Sequence, residues 1–597
     1  MKKDMFTALS AQLTRTTAIA IATSVMLAAC ASPTAAPTAK PAAPAPAATT
    51  APAAPAPTTA PAVPAPTIAP TAAPAATKPA APAAVANTGN IIIGGFNTGP
   101  GGFPERFDAY NKGAGDYAFE FYLSKLVRYC DVSLSKMCGD LAEKWDVSPD
   151  GKTLVFTLKN AKWHDGTPVT ADDVDFTLTR LLVKGVSRYI TSFTAIKGGK
   201  DFTDGKETKV AGYTVVDPKT FKIELSVPNT PLLDTLSSIA IIQKKQWEKV
   251  APADMEKSDI WKNGLIGSGP FVFTKYVSGQ YSEFTAFPDY FGGKPKVDKM
   301  YDRFFLEPGT ALIALQRGEI DFTYATVDEL EKVKTNADLK IIEGPSLVGQ
   351  YLILNRKVPE FEDKRVRQAL MYAIDRDSII KGLWKGTALP TNCWFSPAGP
   401  YNLKDANPYK YDVNKAKALL KEANIDLAKM GEVEFITYYN DQLSKDMISV
   451  VAENLTAIGM KVKLRFIDTP TFTTETRTDS PKWKIAWVGG GNGPEPDFPL
   501  YGSIHSSAEY PKGNNIDYIK DPELDKLLDD GRVEGDPTKR QAIYQKACLR
   551  MNEDVTRPWM LESTRYGVVN KKIGNFIYTP SPGGGRYLQY PERWTKN

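Results

Sequence analysis

The segment from Ala31 to Thr88 is almost entirely Ala, Pro and Thr, and Lys40 and Lys78 are its only charges. It holds almost nothing large and apolar, so it cannot offset the entropy lost on folding. Frequent proline favours extended polyproline II, about 3.1 Å per residue, so the segment reads as a semi-rigid tether. A packed fold must therefore come from residues 89–597. That stretch exceeds one ordinary core, so two or more lobes are expected.

Ahead of the tether, Lys2, Lys3 and Arg15 precede the apolar run "TAIAIATSVMLAAC", which is too short for a comfortable membrane span. Residues 1–29 read as a secretory signal. The run ends in Leu27-Ala28-Ala29-Cys30, which resembles the bacterial lipoprotein lipobox. That resemblance implies cleavage before Cys30 and acylation of its thiol and new amino terminus. Residues 30–88 would then be a lipidated cysteine and its spacer.

The net charge is +5, and no basic stripe interleaves with aromatics, so nucleic acid is not an expected partner. Cys130 and Cys138 bracket "DVSLSKM", a spacing that suits a hairpin-bridging disulfide in an exported protein. Cys393 and Cys548 could pair only if the fold brings them together. There is no CxxC and no His/Cys cluster with zinc spacing, and no metal or cofactor is expected.

Strands are expected at Asn90–Gly95, at "KTLVFTL" with Leu154, Phe156 and Leu158 on one face, and at "KTFKIEL" with Phe221, Ile223 and Leu225. Thr170 is placed to cap a helix with acidic residues in its first turn. "DKRVRQALMYAIDRDSIIKGLW" puts Val366, Ala369, Leu370, Ala373 and Ile374 on one helical face. "DPELDKLLDDGRVEGDPTKRQAIYQKACLRMNED" reads as two helices, each opening with Asp-Pro, split near Gly531–Gly535. Strands and helices mixed in this way make an α/β protein.

Five stretches carry a family resemblance: Leu141–Leu178 ("LAEKWDVSPDGKTLVFTLKNAKWHDGTPVTADDVDFTL"), Gly267–Phe271 ("GSGPF"), Phe287–Met300 ("FPDYFGGKPKVDKM"), Ala314–Phe322 ("ALQRGEIDF") and Leu354–Gly382 ("LNRKVPEFEDKRVRQALMYAIDRDSIIKG"). In this order and at these distances they resemble the peptide/nickel family, family 5, of extracytoplasmic solute-binding proteins that serve ABC importers. The resemblance implies a two-lobed clamshell of the type II, large form with an extra inserted subdomain. One lobe would hold 89–348 plus 561–597, with the insertion at about 130–265, and the other 349–560. A small-molecule ligand would lie between the lobes, and the closed form would dock on permease subunits that work with cytoplasmic ATPases. The receptor would be a monomer outside the cytoplasm, touching the membrane only through its lipid.

"KIAWVGGGNGPEPDFPLY", Lys484–Tyr501, raises the question of a phosphate cradle. Such a cradle needs glycines opening directly into a helix, but Pro494, Pro496 and Pro499 follow here. The apolar "WKIAWV" before the glycines reads as a strand, so the glycines are expected in a loop at a strand end. The family resemblance implies a ligand segment here: a Trp, two small residues, then an Asp that takes a peptide's amino group. Trp487 matches the Trp, but Gly490 stands at the Asp position. Glu495 or Asp497 could substitute, or the ligand could lack an ammonium. The expected ligand-facing set is Trp487, Gly489, Gly490, Gly491, Asn492, Glu495, Asp497 and Trp394. A peptide is the first ligand class. An oligosaccharide is the second, stacking on aromatics drawn from Trp384, Trp394, Trp483, Trp487 and Tyr501. His164 and His505 are the two histidines, each in a loop without a partner for acyl transfer, so no enzyme is expected.

Overall fold

The alternation in Thr153–Leu158 sends Leu154, Phe156 and Leu158 to one buried face, and Thr220–Glu224 does the same with Phe221 and Ile223. These strands pair antiparallel, Leu154 opposite Ile223 and Phe156 opposite Phe221, in a four-stranded sheet completed by Ala142–Val147 and Tyr213–Asp217. The helix Ala171–Leu181 starts at Thr170, whose N–H donates to the Asp173 carboxylate at 2.9 Å. The computed structural model describes residues 89–597 except 95–108, 111–118, 132–133, 188, 194, 306–307, 479–480, 492, 494, 498–499 and 580–587. Cys30, the signal-like run and the tether lie outside the described residues. Among the described residues no helix is long and apolar enough to cross a membrane.

A mixed sheet of eleven strands runs through the rest. Its order is Lys461–Phe466, Glu432–Thr437, Ile485–Gly491, Leu339–Leu354, Trp559–Asn570, Phe322–Ala325, Ile91–Gly94, Lys299–Arg303, Tyr281–Ala286 and Phe271–Val277, with Leu389–Pro390 added beside Trp559–Asn570. The two central strands are the longest, 16 and 12 residues. They serve both ends of the sheet. Leu339–Pro345 pairs with Thr564–Asn570, next to Phe322–Ala325, whereas Val348–Leu354 pairs with Ile485–Gly491. Between these stretches the register shifts at Ser346–Val348, and Leu347 takes a φ of 51°. A bulge at a non-glycine residue in the left-handed region re-aims a strand.

The cores divide on either side of that bulge. Ile91, Phe121, Trp163, Trp247, Phe322 and Trp594 belong to one core, and Ile92, Tyr301, Leu312 and Val568 to its neighbour. Leu352, Leu370, Phe435, Trp487 and Leu561 belong to a third, and Tyr351, Trp394, Ile436, Leu500 and Trp559 to a fourth. The region about 130–265 has its own sheet, but among the described residues its core is shared: Phe156, Trp163 and Trp247 pack in the same core as Phe284 and Trp594.

Two helical expectations differ in detail. The run after Asp363 is two helices, Lys364–Ala373 and Arg376–Gly382, because Asp375 turns out to be a new cap accepting from the Ser378 N–H at 3.0 Å. The Asp-Pro pair opens Pro522–Val533 and Pro537–Asp554, with Asp521 and Asp536 accepting from Leu524 and Lys539 backbone N–H groups at 3.1 and 2.9 Å. Proline at the first turn gives up an N–H that needs no helical partner there.

Candidate functional site

The glycines after Trp487 do not form a loop. Gly489, Gly490 and Gly491 continue the strand Ile485–Gly491 and pair with Gln350, Gly349 and Val348. Their backbone groups are taken by the long central strand, which is why the strand runs past the apolar residues. On its other side this strand pairs with Phe435–Thr437 only as far as Trp487. Among the described residues no strand pairs with Val488–Gly491 on that side.

Successive side chains alternate faces. Trp487 is fully buried in the core with Leu352 and Phe435, and the Thr437 hydroxyl donates to its carbonyl at 3.2 Å. Gly490 faces the opposite side, toward Tyr351 and Trp394. The expectation that Trp487 anchors a ligand is corrected by this parity: it points into the core, away from the face that Gly490 leaves bare. Asn492 lies outside the described residues.

A Cβ at Gly490 would sit 2.7 Å from the Tyr351 hydroxyl and 2.9 Å from Trp394 Cη2. At Gly489 it would meet the Tyr439 hydroxyl at 2.3 Å. Tyr351, Trp394 and Trp559 form one aromatic cluster, with centroids 5.1 to 5.9 Å apart. The Arg557 guanidinium lies 5.0 Å from the Tyr351 ring centroid and 5.8 Å from that of Trp394. It is bidentate to the buried Asp517, at 2.7 and 2.9 Å. Burial pushes the Tyr351 hydroxyl up to about 12, so it stays a neutral donor or acceptor.

The substitute carboxylates are already committed. Asp497 accepts two bonds from Arg532, at 3.0 and 2.7 Å, and Glu495 is bidentate to Arg540. Glu495 Oε1 also accepts the Asp497 N–H at 3.0 Å. Arg532 lies 3.4 Å over the Tyr501 ring. These pairs fasten the loop after the glycines to the two C-terminal helices, so neither carboxylate stands free for a ligand ammonium.

A different carboxylate, Glu562, has no cation beside it among the described residues. Gly349 pairs with Gly490 on one side and with Glu562 on the other. The row Gly490–Gly349–Glu562–Leu389 crosses four strands at the bulge, and directly opposed residues share a face. Glu562 is 1% exposed, and its Oε1 accepts the Ser396 hydroxyl at 3.0 Å. Among the described residues its Oε2 has no hydrogen-bond partner. Burial pushes the carboxyl up to about 7, against the Ser396 hydroxyl and the Leu347 backbone N–H, which favour the ionised form.

Trp394 is 2%, Trp483 1% and Trp487 0% exposed, so none of the three offers a free stacking face. Both histidines bind backbone: His164 accepts from the Gly267 N–H at 3.2 Å and lies 3.0 Å from the Gly269 carbonyl, and His505 accepts from the Ser507 N–H at 3.0 Å. Cys130 and Cys138 are joined, with Cα atoms 5.7 Å apart, across the hairpin of Val127–Tyr129 and Met137–Gly139. The fold also brings Cys393 and Cys548 together, 155 residues apart in sequence, with Cα atoms 5.3 Å apart.

The model for "Bacterial extracellular solute-binding proteins, family 5 Middle" matches residues 136–511. A Brucella melitensis protein, provisionally named an ABC transporter peptide-binding protein, is 36% identical over 86% of this chain and 95% of its own length. The chain belongs to the family 5 extracellular solute-binding proteins. Among solved structures, the oligopeptide-binding protein AppA of Bacillus subtilis, in complex with a nonapeptide, superposes with a TM-score of 0.72 at 24% identity, covering 85% of this chain and 99% of that one. NikZ of Campylobacter jejuni, in complex with Ni(L-His), gives 0.72 at 25% identity over the same shares. The fold is thus the two-lobed binding-protein fold, and the family 5 role is extracytoplasmic capture of a solute for an ABC importer.

Proposed function

We propose that this family 5 receptor captures a peptide between its halves and presents it to the permease of an ABC importer. The observation that carries the peptide reading is the edge of Val488–Gly491, beside which no strand lies among the described residues. An extended peptide adds to such an edge through main-chain hydrogen bonds, which are independent of its sequence. Three glycines in a row keep side chains from blocking the approach. The relatives named for peptide binding agree with this reading. For the domain limits, we place the exchange between halves at the bulge Ser346–Val348 and at Glu562–Arg565, close to the expected limits of 348 and 561.

The protein works as a monomer, tethered by a lipid on Cys30 through the Ala/Pro/Thr spacer. Mass spectrometry of peptides retained by the purified protein tests the ligand class. Recovery of short peptides supports the reading, and recovery of saccharides alone refutes it. Incorporation of labelled palmitate that is lost in Cys30→Ser tests the anchor.

A further inference from the structure

A second concave surface lies on the half that holds the C-terminal residues. It is a groove of about 720 Å³ with Ile342 and Phe576 on its floor and Lys296, Lys340, Lys571 and Arg593 around it. Lys340 and Ile342 share a face of the strand Leu339–Leu354, Lys571 follows directly on Trp559–Asn570, and Lys296 comes from the loop before Lys299–Arg303. Lys340 precedes Gly349 by nine residues, up to roughly 30 Å along the strand, so the groove is separate from the glycine row. All four cations are exposed, and among the described residues no carboxylate lines the groove. Elsewhere on the surface lysines hold carboxylates, as Lys299 holds Glu283 at 2.6 Å and Lys463 holds Glu432 at 2.8 Å. Among the described residues Lys296, Lys340 and Lys571 make no ion pair; Lys571 Nζ donates to the Ala337 carbonyl at 2.6 Å, and Arg593 lies 3.5 Å from the buried Glu592. Like charges gathered around an apolar floor repel one another, and an anionic amphiphile would relieve both features at once.

The described chain enters the fold beside this groove. The Asn90 carbonyl accepts from Lys596 Nζ at 2.7 Å, and Lys596 pairs with Ile573, which lines the groove. The spacer Ala31–Thr88 therefore joins the folded part within one lysine side chain of the groove's edge. The spacer does not match the groove by charge, because its charged residues are Lys40 and Lys78. We propose that the groove docks an anionic phospholipid of the membrane to which the spacer leads, its phosphate among Lys296, Lys340 and Lys571 and its glycerol over Ile342 and Phe576. This rests on the reading that the chain is anchored at a membrane. A spacer that extends to roughly 180 Å would otherwise let the receptor roam, and a weak second contact with the same surface keeps it near the permease.

Cosedimentation of the whole chain carrying Cys30→Ser tests the docking without the anchor. The probes are phosphatidylcholine vesicles with and without about 40% phosphatidylglycerol. Binding to the anionic vesicles should be at least about tenfold tighter and should vanish near 0.5 M salt. A cation near an anionic surface contributes about fivefold, so Lys296→Gln with Lys340→Gln and Lys571→Gln should weaken binding by about two orders of magnitude. Lys417→Gln with Lys421→Gln and Lys461→Gln, exposed lysines of the other half, removes the same charge and should leave binding within about twofold of the unsubstituted chain. Equal binding to both vesicle types, equal loss in the two triple variants, or salt-resistant binding unchanged in the groove variant would each overturn the assignment; the last would come from the apolar run in residues 1–29. Release by about 10 mM inorganic phosphate would reveal a free-phosphate site and overturn it too. If palmitate labelling fails while the groove-dependent vesicle binding persists, the anchor reading falls and the docking stands.

Discussion

Gly490→Ala isolates the close approach that defines the face opposite Trp487. The new Cβ would lie 2.7 Å from the Tyr351 hydroxyl and 2.9 Å from Trp394 Cη2, several tenths of an ångström inside ordinary contact. Neither ring can retreat easily. Tyr351 is 5% and Trp394 2% exposed, and each packs against the other, Trp559 and the Arg557 guanidinium. Overpacking of this kind costs about 1–3 kcal/mol. For a half of roughly two hundred residues that corresponds to a melting temperature lower by about 3–9 °C. Gly490→Asp adds a carboxylate with Arg557 already bound to Asp517, so it should lower the melting temperature further than alanine does. Differential scanning calorimetry without ligand is the assay, with the transition assigned to its half by hydrogen exchange of the strand Ile485–Gly491. An alanine variant melting like the wild type would refute the reasoning: Tyr351 and Trp394 would then move freely, and the bare row would be an open pocket rather than a packed face.

Arg540→Met should leave Glu495 buried and unpaired, costing about 3–5 kcal/mol by urea denaturation, and Arg540→Met with Glu495→Leu should recover most of that loss. Replacing Cys393 and Cys548 by Ser should cost about 5 kcal/mol on a loop-entropy basis, against about 2.5 kcal/mol for Cys130 and Cys138, because the closed loops span 155 and 8 residues; melting under oxidising conditions ranks the two double variants. His164 is held down at about 4 by burial, so the unfolded chain binds a proton that the folded one refuses between pH 6.5 and 4. Its contribution is therefore present above pH 6.5 and lost as pH falls, and His164→Gln should flatten that part of the stability profile. Thr230→Val removes the hydroxyl that donates to the Glu534 carbonyl at 2.9 Å across the two halves; ligand should leave about two- to tenfold faster in stopped-flow release, and an unchanged rate would show that this contact does not hold the closed form.

The scaffold was legible because its signals are local. The alternation at Leu154–Leu158, the cap at Thr170 and the Asp-Pro starts at Asp521 and Asp536 each lie within one element, and all appear where the residues place them. The candidate site is half legible. The family resemblance implies a ligand segment at the glycines, but their partner Gly349 is 141 residues away, so the sequence reads as a loop where the structure has a strand. Glu495 and Asp497 looked free because Arg540 and Arg532 lie 45 and 35 residues downstream. Glu562 was missed for a subtler reason. Counting by alternation from the inward Trp559 sends Glu562 to the other face. Trp559 pairs with Tyr351 and Leu561 with Gln350, so Met560 is an extra residue, and the bulge returns Glu562 to the face of Trp559.

That bulge also links the site's chemistry to its mechanics. The central strand and its return strand each carry an irregularity where they pass from one half of the sheet to the other, at Ser346–Val348 and at Met560. Both flank the row of Gly490, Gly349 and Glu562. A change of angle between the halves must be absorbed where ladder bonds are already broken, because an unbroken ladder resists shear. Ser396 sits on the segment fastened by Cys393 to Cys548 of the last long helix, so the donor to Glu562 Oε1 moves with one half, while Leu347 lies at the bend itself. Opening the halves therefore moves the two donors around Glu562 relative to each other.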